Sequence, residues 1–254
     1  MRLLRYINSR TTKRACRHAW IDWLYPPICV ACRVIIPLNL TQPRHMGLCA
    51  PCQSLFTPIE GPTCKNCGTP TERDVPRCVS CFGKTFHFTH SRATFVYDEI
   101  VRDLLLSLKF NEDKQIAHSL GKVWAIFGEK PEEEATFVPL PLHKKKQRER
   151  GFNQAEILAR YLGEAWQMPV ENLLERIVDT PPQSGLHPRQ RLENVAGAFA
   201  LKNGTAAKGK RYILIDDIYT TGASLNECAR VLMAAGAESV SCFCLAVVER
   251  KKDD

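Results

Sequence analysis

The segment Tyr212-Ile-Leu-Ile-Asp216-Asp217-Ile-Tyr-Thr220-Thr221-Gly222-Ala223-Ser224 runs from four apolar residues through two adjacent acids into a turn of small and hydroxylated residues, and a helical pattern follows. That order suits a buried strand feeding a helix, and in open α/β sheets ligands bind at the carboxyl ends of the strands. Small residues let backbone N–H groups reach a phosphate, hydroxyls add donors, and a helix N-terminus favours negative charge. The acids are unsuited to that phosphate but suit ribose hydroxyls or a Mg²⁺-linked diol. A diol beside a phosphate describes a ribose 5-phosphate. The bland alternative is a Thr- or Ser-capped helix with incidental acids.

The neighbouring patterns extend this βα unit. Phe86–Tyr97 alternates like a strand. Glu99–Phe110 carries Ile100, Leu104, Leu105 and Leu108 on one helical stripe, and Ala117–Phe127 predicts a second helix. An acidic linker, Lys130–Glu134, leads to an apolar strand at Thr136–Leu142 and then to the basic run Lys144–Arg150. Asn153–Gln167 predicts a helix, and Thr180–Leu192, with its prolines and glycine, a loop. A short strand at Tyr212–Ile215, a turn, a helix at Ser224–Ala235 capped by Gly236 and a strand at Ser239–Val248 complete the chain. Alternating strands and helices predict an α/β fold, a mainly parallel, doubly wound sheet with helices on both faces.

Eight of the twelve cysteines form four Cys-x-x-Cys pairs: Cys29/Cys32, Cys49/Cys52, Cys64/Cys67 and Cys78/Cys81. Repeated pairs in a reducing compartment point to metal ligands rather than disulfides. Eight thiolates suffice for two closed tetrahedral Zn²⁺ sites with no open position, hence structural metal. Sequential pairing, Cys29/32/49/52 and Cys64/67/78/81, is the expectation, with interleaving as the alternative. Gly68 suits the tight turn of a knuckle. The segment is poor in core-forming residues and needs the metal to fold. Cys228, on the inner stripe of its helix, is expected in the core.

The 254 residues leave room for one large domain or two modest ones, and 44% apolar against 24% charged residues excludes a disordered chain. Three parts are expected: a basic arm over 1–28, a double zinc ribbon over 29–84 and the α/β domain over 85–254. The net charge of +8 is confined to the front. Residues 1–28 carry six Lys/Arg against one acid and 29–84 carry six against three, so the remainder is balanced. Such a front suits an anionic partner, nucleic acid being the usual one, or serves only solubility. No apolar run reaches the roughly 20 residues of a bilayer span, and the Arg-rich start lacks an apolar signal core, so a cytoplasmic protein without membrane insertion is expected. Gly83-Lys84-Thr85 mimics the end of a nucleotide-binding P-loop, but Cys78 holds the place of its first glycine and no strand precedes it.

Residues 212–224 closely resemble the thirteen-residue phosphoribosyl diphosphate motif of type I phosphoribosyltransferases. Two further segments resemble the ComF family, which joins such a domain to an N-terminal zinc module. One is Val138-Pro-Leu-Pro-Leu-His143, running through Lys145, Lys146, Arg148 and Arg150 into Gly151-Phe-Asn-Gln154. The other is Thr180-Pro-Pro-Gln183-Ser-Gly-Leu186, continuing to Arg191 and Asn194. The resemblance spans Trp23 to Val248.

The resemblance implies that Asp216 and Asp217 bind the ribose hydroxyls at the catalytic centre and that Thr220, Thr221, Gly222, Ala223 and Ser224 hold the 5-phosphate. The first segment becomes the diphosphate loop and the second a mobile loop bearing Gln183 and Arg191. Clustered Lys and Arg at a strand end would neutralise a diphosphate leaving group, although Lys144–Arg150 alone is equally a solvated charge run. Mg²⁺ and two structural zinc ions follow as cofactors. ComF relatives are implicated in natural transformation or the use of external DNA. That implies contact with single-stranded DNA and partners among DNA-uptake or helicase proteins. A phosphoribosyltransferase of nucleotide metabolism with no DNA role is the alternative, and whether the domain turns over or only senses its ligand stays open.

Overall fold

The computed structural model describes residues 26–36, 47–110, 114–180, 194–203 and 207–249. The first of these segments and a short helix α1 (Ala50–Ser54) form one lobe of a ribbon. A second lobe, ending in a single 3₁₀ turn at Val79–Cys81, leads into the α/β body. There follow β1 (Ser91–Val96), α2 (Glu99–Phe110), α3 (Lys114–Phe127), β2 (Thr136–Pro139), α4 (Lys144–Arg150) and α5 (Gln154–Trp166). The chain continues through β3 (Leu174–Arg176), β4 (Phe199–Leu201), β5 (Arg211–Tyr219), α6 (Ala223–Ala234) and β6 (Ser239–Val247). Among the described residues no helix is long and apolar enough to cross a membrane.

The expected parallel sheet is present in the order β1-β6-β5-β2, with every pairing parallel. Both faces are covered, so its central strands are apolar at nearly every position. Ile213, Ile215, Phe243 and Leu245 face a core shared with α2, α3 and α5. Tyr212, Leu214, Cys242 and Cys244 face the other core, where Leu225, Cys228, Ala229 and Leu232 of α6 pack.

Helix boundaries follow local capping. Asp98 accepts from the Val101 N–H at 3.0 Å before α2, and Asn153 accepts from Ala155 N–H at 3.1 Å before α5. The Asn153 amide also donates to the Leu140 carbonyl at 2.9 Å, which pins the start of α5 to the end of β2.

The ribbon is built into the body. Its first lobe places Cys29, Cys49, Cys52 and Phe56 in the core of α2 and α3, whereas Cys64, Cys67 and Cys81 lie in the core of α6. Between the lobes the chain runs along the outer edge of β1: Ile59 N–H donates to Thr94 O and Ser91 N–H to Asn66 O, both at 2.8 Å. The edge of β2 is covered by residues 169–171 through Phe137 N–H to Pro169 O and Glu171 N–H to Phe137 O. Neither outer strand leaves a bare row of backbone groups for another chain.

Four expectations are corrected. β1 starts at Ser91 rather than Phe86, because Phe86 and Phe88 turn to one another, ring centroids 5.0 Å apart, and pack with the ribbon side of the core. β2 stops at Pro139: Leu140 N–H still reaches Ile215 O, and beyond it the chain passes to His143, the N-cap of α4. β5 is longer than expected and passes through both acids to Tyr219. The basic run is helical, since Lys, Gln, Arg and Glu are good helix formers and Gly151, at φ 73°, closes the turn. The antiparallel pair β3–β4 has only three residues per strand, too few to leave a periodic signal.

Gly68 tests how tightly ribbon and sheet meet. Its φ is +75°, and a Cβ there would lie 2.9 Å from Ser91 O and 3.1 Å from Arg92 Cα. Backbone cannot yield as a side-chain tip can. Gly68→Ala is therefore expected to cost about 1–3 kcal/mol, seen as a lower midpoint in urea unfolding of the zinc-loaded protein. An unchanged midpoint would mean that the knuckle stands off from β1.

Candidate functional site

The two strands beside β5 end at different heights. β2 accompanies it to the Pro139–Ile215 pair, while β6 stays paired to the Tyr219–Val247 pair. Asp216 and Asp217 thus sit on strand backbone whose β2 side has become open. Asp217 is buried and Asp216 half-buried. Asp216 Oδ1 accepts from Asp217 N–H at 2.9 Å, and Asp217 Oδ1 accepts from Ile218 N–H at 3.1 Å, which orients both carboxyls.

Beyond Tyr219, Thr220 and Thr221 make the turn and Gly222, at φ 74°, starts α6. A Cβ on Gly222 would strike the Tyr219 ring, 2.7 Å from Cζ, so this position requires glycine twice over. Thr221 Oγ1 accepts from Ala223 N–H at 3.3 Å, and Ser224 stands half-exposed in the first turn of α6. Acids, hydroxyls and the helix N-terminus predicted to bind a phosphoribosyl group are contiguous at one sheet end.

α4 borders the same end, just after β2. Its cations are held from below: Lys144 Nζ lies 3.5 Å from Glu175, Lys145 Nζ lies 3.7 Å from Asp179, and Lys146 Nζ donates to Thr180 O at 3.5 Å. Arg150 donates to Gln154 at 2.7 Å, and Arg148 is exposed on the last turn. Burial, then the neighbouring Arg176 charge, lowers the pKa of Lys146.

Arg176 itself was not foreseen. It lies on β3, stacks 5.4 Å over the Phe199 ring, donates to Thr180 Oγ1 and feels the Asp216 carboxylate, which with Asp179 opposes the effect of burial on its pKa. No sequence signal marks it, because its role depends on a three-residue strand. Gln183 and Arg191 lie outside the described residues.

The eight ribbon cysteines gather into two groups in sequential order, Cys29/32/49/52 and Cys64/67/78/81, with the sulfurs of each group within 4.8 Å of one another. Four thiolates at about 2.3 Å from a tetrahedral Zn²⁺ stand roughly 3.8 Å apart. The Cys32–Cys49 and Cys67–Cys78 sulfurs are 3.6 and 3.7 Å apart, so the geometry fits the ion. Donors also face the sulfurs: Cys78 N–H reaches Cys64 Sγ at 3.2 Å and the Asn66 amide reaches Cys81 Sγ at 3.7 Å.

Each group already holds one acidic thiol. Burial opposes ionisation of Cys29, yet the N–H groups of Cys32, Cys49 and Ala31 bring it down to about 6. The Cys81 thiol brings Cys67 down to about 5 against burial, and is itself pushed up by its hydrogen bond with Cys67, then by burial and the Cys67 charge. Further ionisation in such crowded groups needs a cation. By contrast, Cys228, Cys242 and Cys244 are fully buried and their thiols are pushed far up by desolvation, as core residues should be. Purified protein is expected to carry two zinc ions per chain by elemental analysis. Cys81→Ser should leave one and lower the unfolding temperature of the whole chain, since Cys81 shares a core with Leu214 and α6.

Comparison with known proteins agrees with both halves of this architecture. The double zinc ribbon domain family matches residues 20–82 and the phosphoribosyl transferase domain family matches residues 148–254. Competence protein ComFC of Bacillus subtilis is 32% identical over 206 residues, which are 78% of this chain and 83% of that protein. Competence protein F of Haemophilus influenzae is 28% identical, covering 86% of this chain and 96% of its own length. DNA utilization protein YhgH of Escherichia coli is 28% identical, covering 87% and 96%. With two cysteine clusters of zinc-ribbon type ahead of a phosphoribosyltransferase-type sheet, and relatives aligned over most of both chains, the protein belongs to the ComF family.

Proposed function

We propose that the protein binds phosphoribosyl diphosphate, or a nucleotide carrying a ribose 5-phosphate, and acts in natural transformation or the use of external DNA, with contact to single-stranded DNA. The observation that carries the ligand is the continuity of Asp216 and Asp217 with the turn Thr220–Ser224 at the open end of β5. In this reading the two carboxyls hold the ribose hydroxyls. The turn and the first N–H groups of α6 hold the 5-phosphate. A diphosphate lies toward α4, where Lys145, Lys146, Arg148 and Arg150 stand, and Arg176 balances Asp216 from β3. The carboxylates offer the hard oxygen donors that Mg²⁺ prefers, and the ion would neutralise the diphosphate. Gln183 and Arg191 keep the covering role that the family resemblance implies. Such a site favours phosphoribosyl transfer, since the chemistry needs little beyond clamping the diphosphate and orienting the ribose.

The names competence protein and DNA utilization protein among the relatives support the DNA side, as does the charge. The six basic residues Arg2, Arg5, Arg10, Lys13, Arg14 and Arg17 face one acid, Asp22, in the first 28 positions, and these lie almost wholly outside the described residues.

Asp216→Asn combined with Asp217→Asn is expected to weaken phosphoribosyl diphosphate binding at least about 100-fold in calorimetry, because the ribose hydroxyls then meet neutral amides in place of two carboxylates. The fold should survive, because asparagine keeps an oxygen for the Ile218 N–H. Wild-type affinity in that protein would remove the ligand assignment.

For DNA, the informative truncation ends at residue 25. Ile36 N–H donates to Pro27 O at 2.7 Å and Ile28 bridges Ile35, so a longer deletion would damage the first zinc lobe. Removing residues 1–25 should weaken single-strand binding and flatten the slope of log affinity against log salt by roughly one unit for each phosphate that the arm neutralises. An unaltered slope would make the arm a solvated tail.

A further inference from the structure

A cleft of about 720 Å³ lies between the second zinc lobe and the turn after β5. Its volume is within the roughly 300–1,000 Å³ of small-molecule sites. One wall is the carboxyl end of β5 and β6, with Tyr219, Thr220, Thr221 and Val248; the other is ribbon. The cleft shares Thr220 and Thr221 with the phosphoribosyl site proposed above and borders the second zinc group through Cys67, Cys78 and Cys81. Asp216 and Asp217 are not among its lining residues, and the ribbon residues that line it beyond those cysteines belong to neither site.

The lining has two characters. Arg73, Arg77 and Lys84 bring positive charge against the single acid Glu72. The Arg77 guanidinium is anchored by donating to Lys84 O at 2.9 Å, which keeps the two cationic residues together. Phe86, Val75 and Val79 supply apolar surface, and the Phe86 ring is braced by Phe88. Thr71 and Ser80 also line the cleft. In the back wall the Tyr219 hydroxyl is buried and finds no hydrogen-bond partner among the described residues. The matching ligand is anionic at one end and flat and apolar at the other.

We propose that this cleft is a second ligand site, for a nucleoside monophosphate, with the base against Phe86 and the phosphate held by Arg73, Arg77 and Lys84. Both ligand sites use the Thr220–Thr221 turn, so the two occupants would be neighbours. That adjacency rests on the phosphoribosyl reading; nucleotide binding in the cleft does not.

The test is equilibrium dialysis of the full, zinc-loaded chain against the four 2′-deoxynucleoside 5′-monophosphates, their nucleosides and inorganic phosphate. At least one monophosphate should bind about tenfold tighter than its nucleoside and than phosphate alone. Arg73→Gln with Lys84→Gln should weaken it about tenfold or more, with two zinc ions and phosphoribosyl diphosphate affinity retained. Phe86→Leu should weaken the nucleotide but not inorganic phosphate. Binding that persists in the Asp216→Asn, Asp217→Asn protein supports the cleft even if the phosphoribosyl reading fails. No monophosphate binding, equal binding of phosphate alone, or loss of nucleotide binding in that same aspartate variant would overturn the proposal.

Discussion

β5 exchanges backbone hydrogen bonds with β2 only as far as Ile215, but with β6 as far as Tyr219. The four residues between those limits are rigid strand on one side and open on the other. A carboxylate carried there is positioned as firmly as a core residue, yet has an approach for a ligand. Had β2 run as far as β6, the pair Asp216–Asp217 would face a neighbouring strand. Had β6 stopped early, the acids would ride on a loop. The end of β2 at Pro139, paired with Ile215, gives the first limit, and β6, buried from Val240 to Val247, gives the second.

Charge is arranged around this opening in layers. Glu175 and Asp179 sit beneath α4 and partly neutralise Lys144 and Lys145, while Arg176, between them in sequence, stacks over Phe199 and donates to Thr180. An anion arriving at α4 meets cations already held in place, at the cost of competing with two carboxylates. Thr180, tied to both Lys146 and Arg176, fixes the end of the hairpin segment beside the site.

The zinc lobes contribute to the body as well as to themselves. By straddling β1, they place one cysteine group in each of the two cores. The second group also reaches the site: Tyr219 is buried beside Cys67 and Cys81, and its ring packs on Gly222. Order in that lobe and the shape of the turn after β5 are therefore mechanically linked.

Much of this was legible in the residues alone. The order of apolar run, acids, small turn and helix at 212–224 encodes a βα unit through short-range preferences that need no distant partner. The cysteine groups were legible for a similar reason: thiolate chemistry and knuckle spacing restrict each pair locally, and two pairs suffice for one ion. Helix α2 coincides with its sequence-predicted limits because Asp98 caps it from a neighbouring position. What the tertiary structure alone decided depends on partners far along the chain. The length of β5 is set by β6, the environment of Arg176 by β4 and α4, and the site of the ribbon by the edge of β1. Local pattern specifies what an element is, but pairing and burial decide how far it runs and which charges it meets.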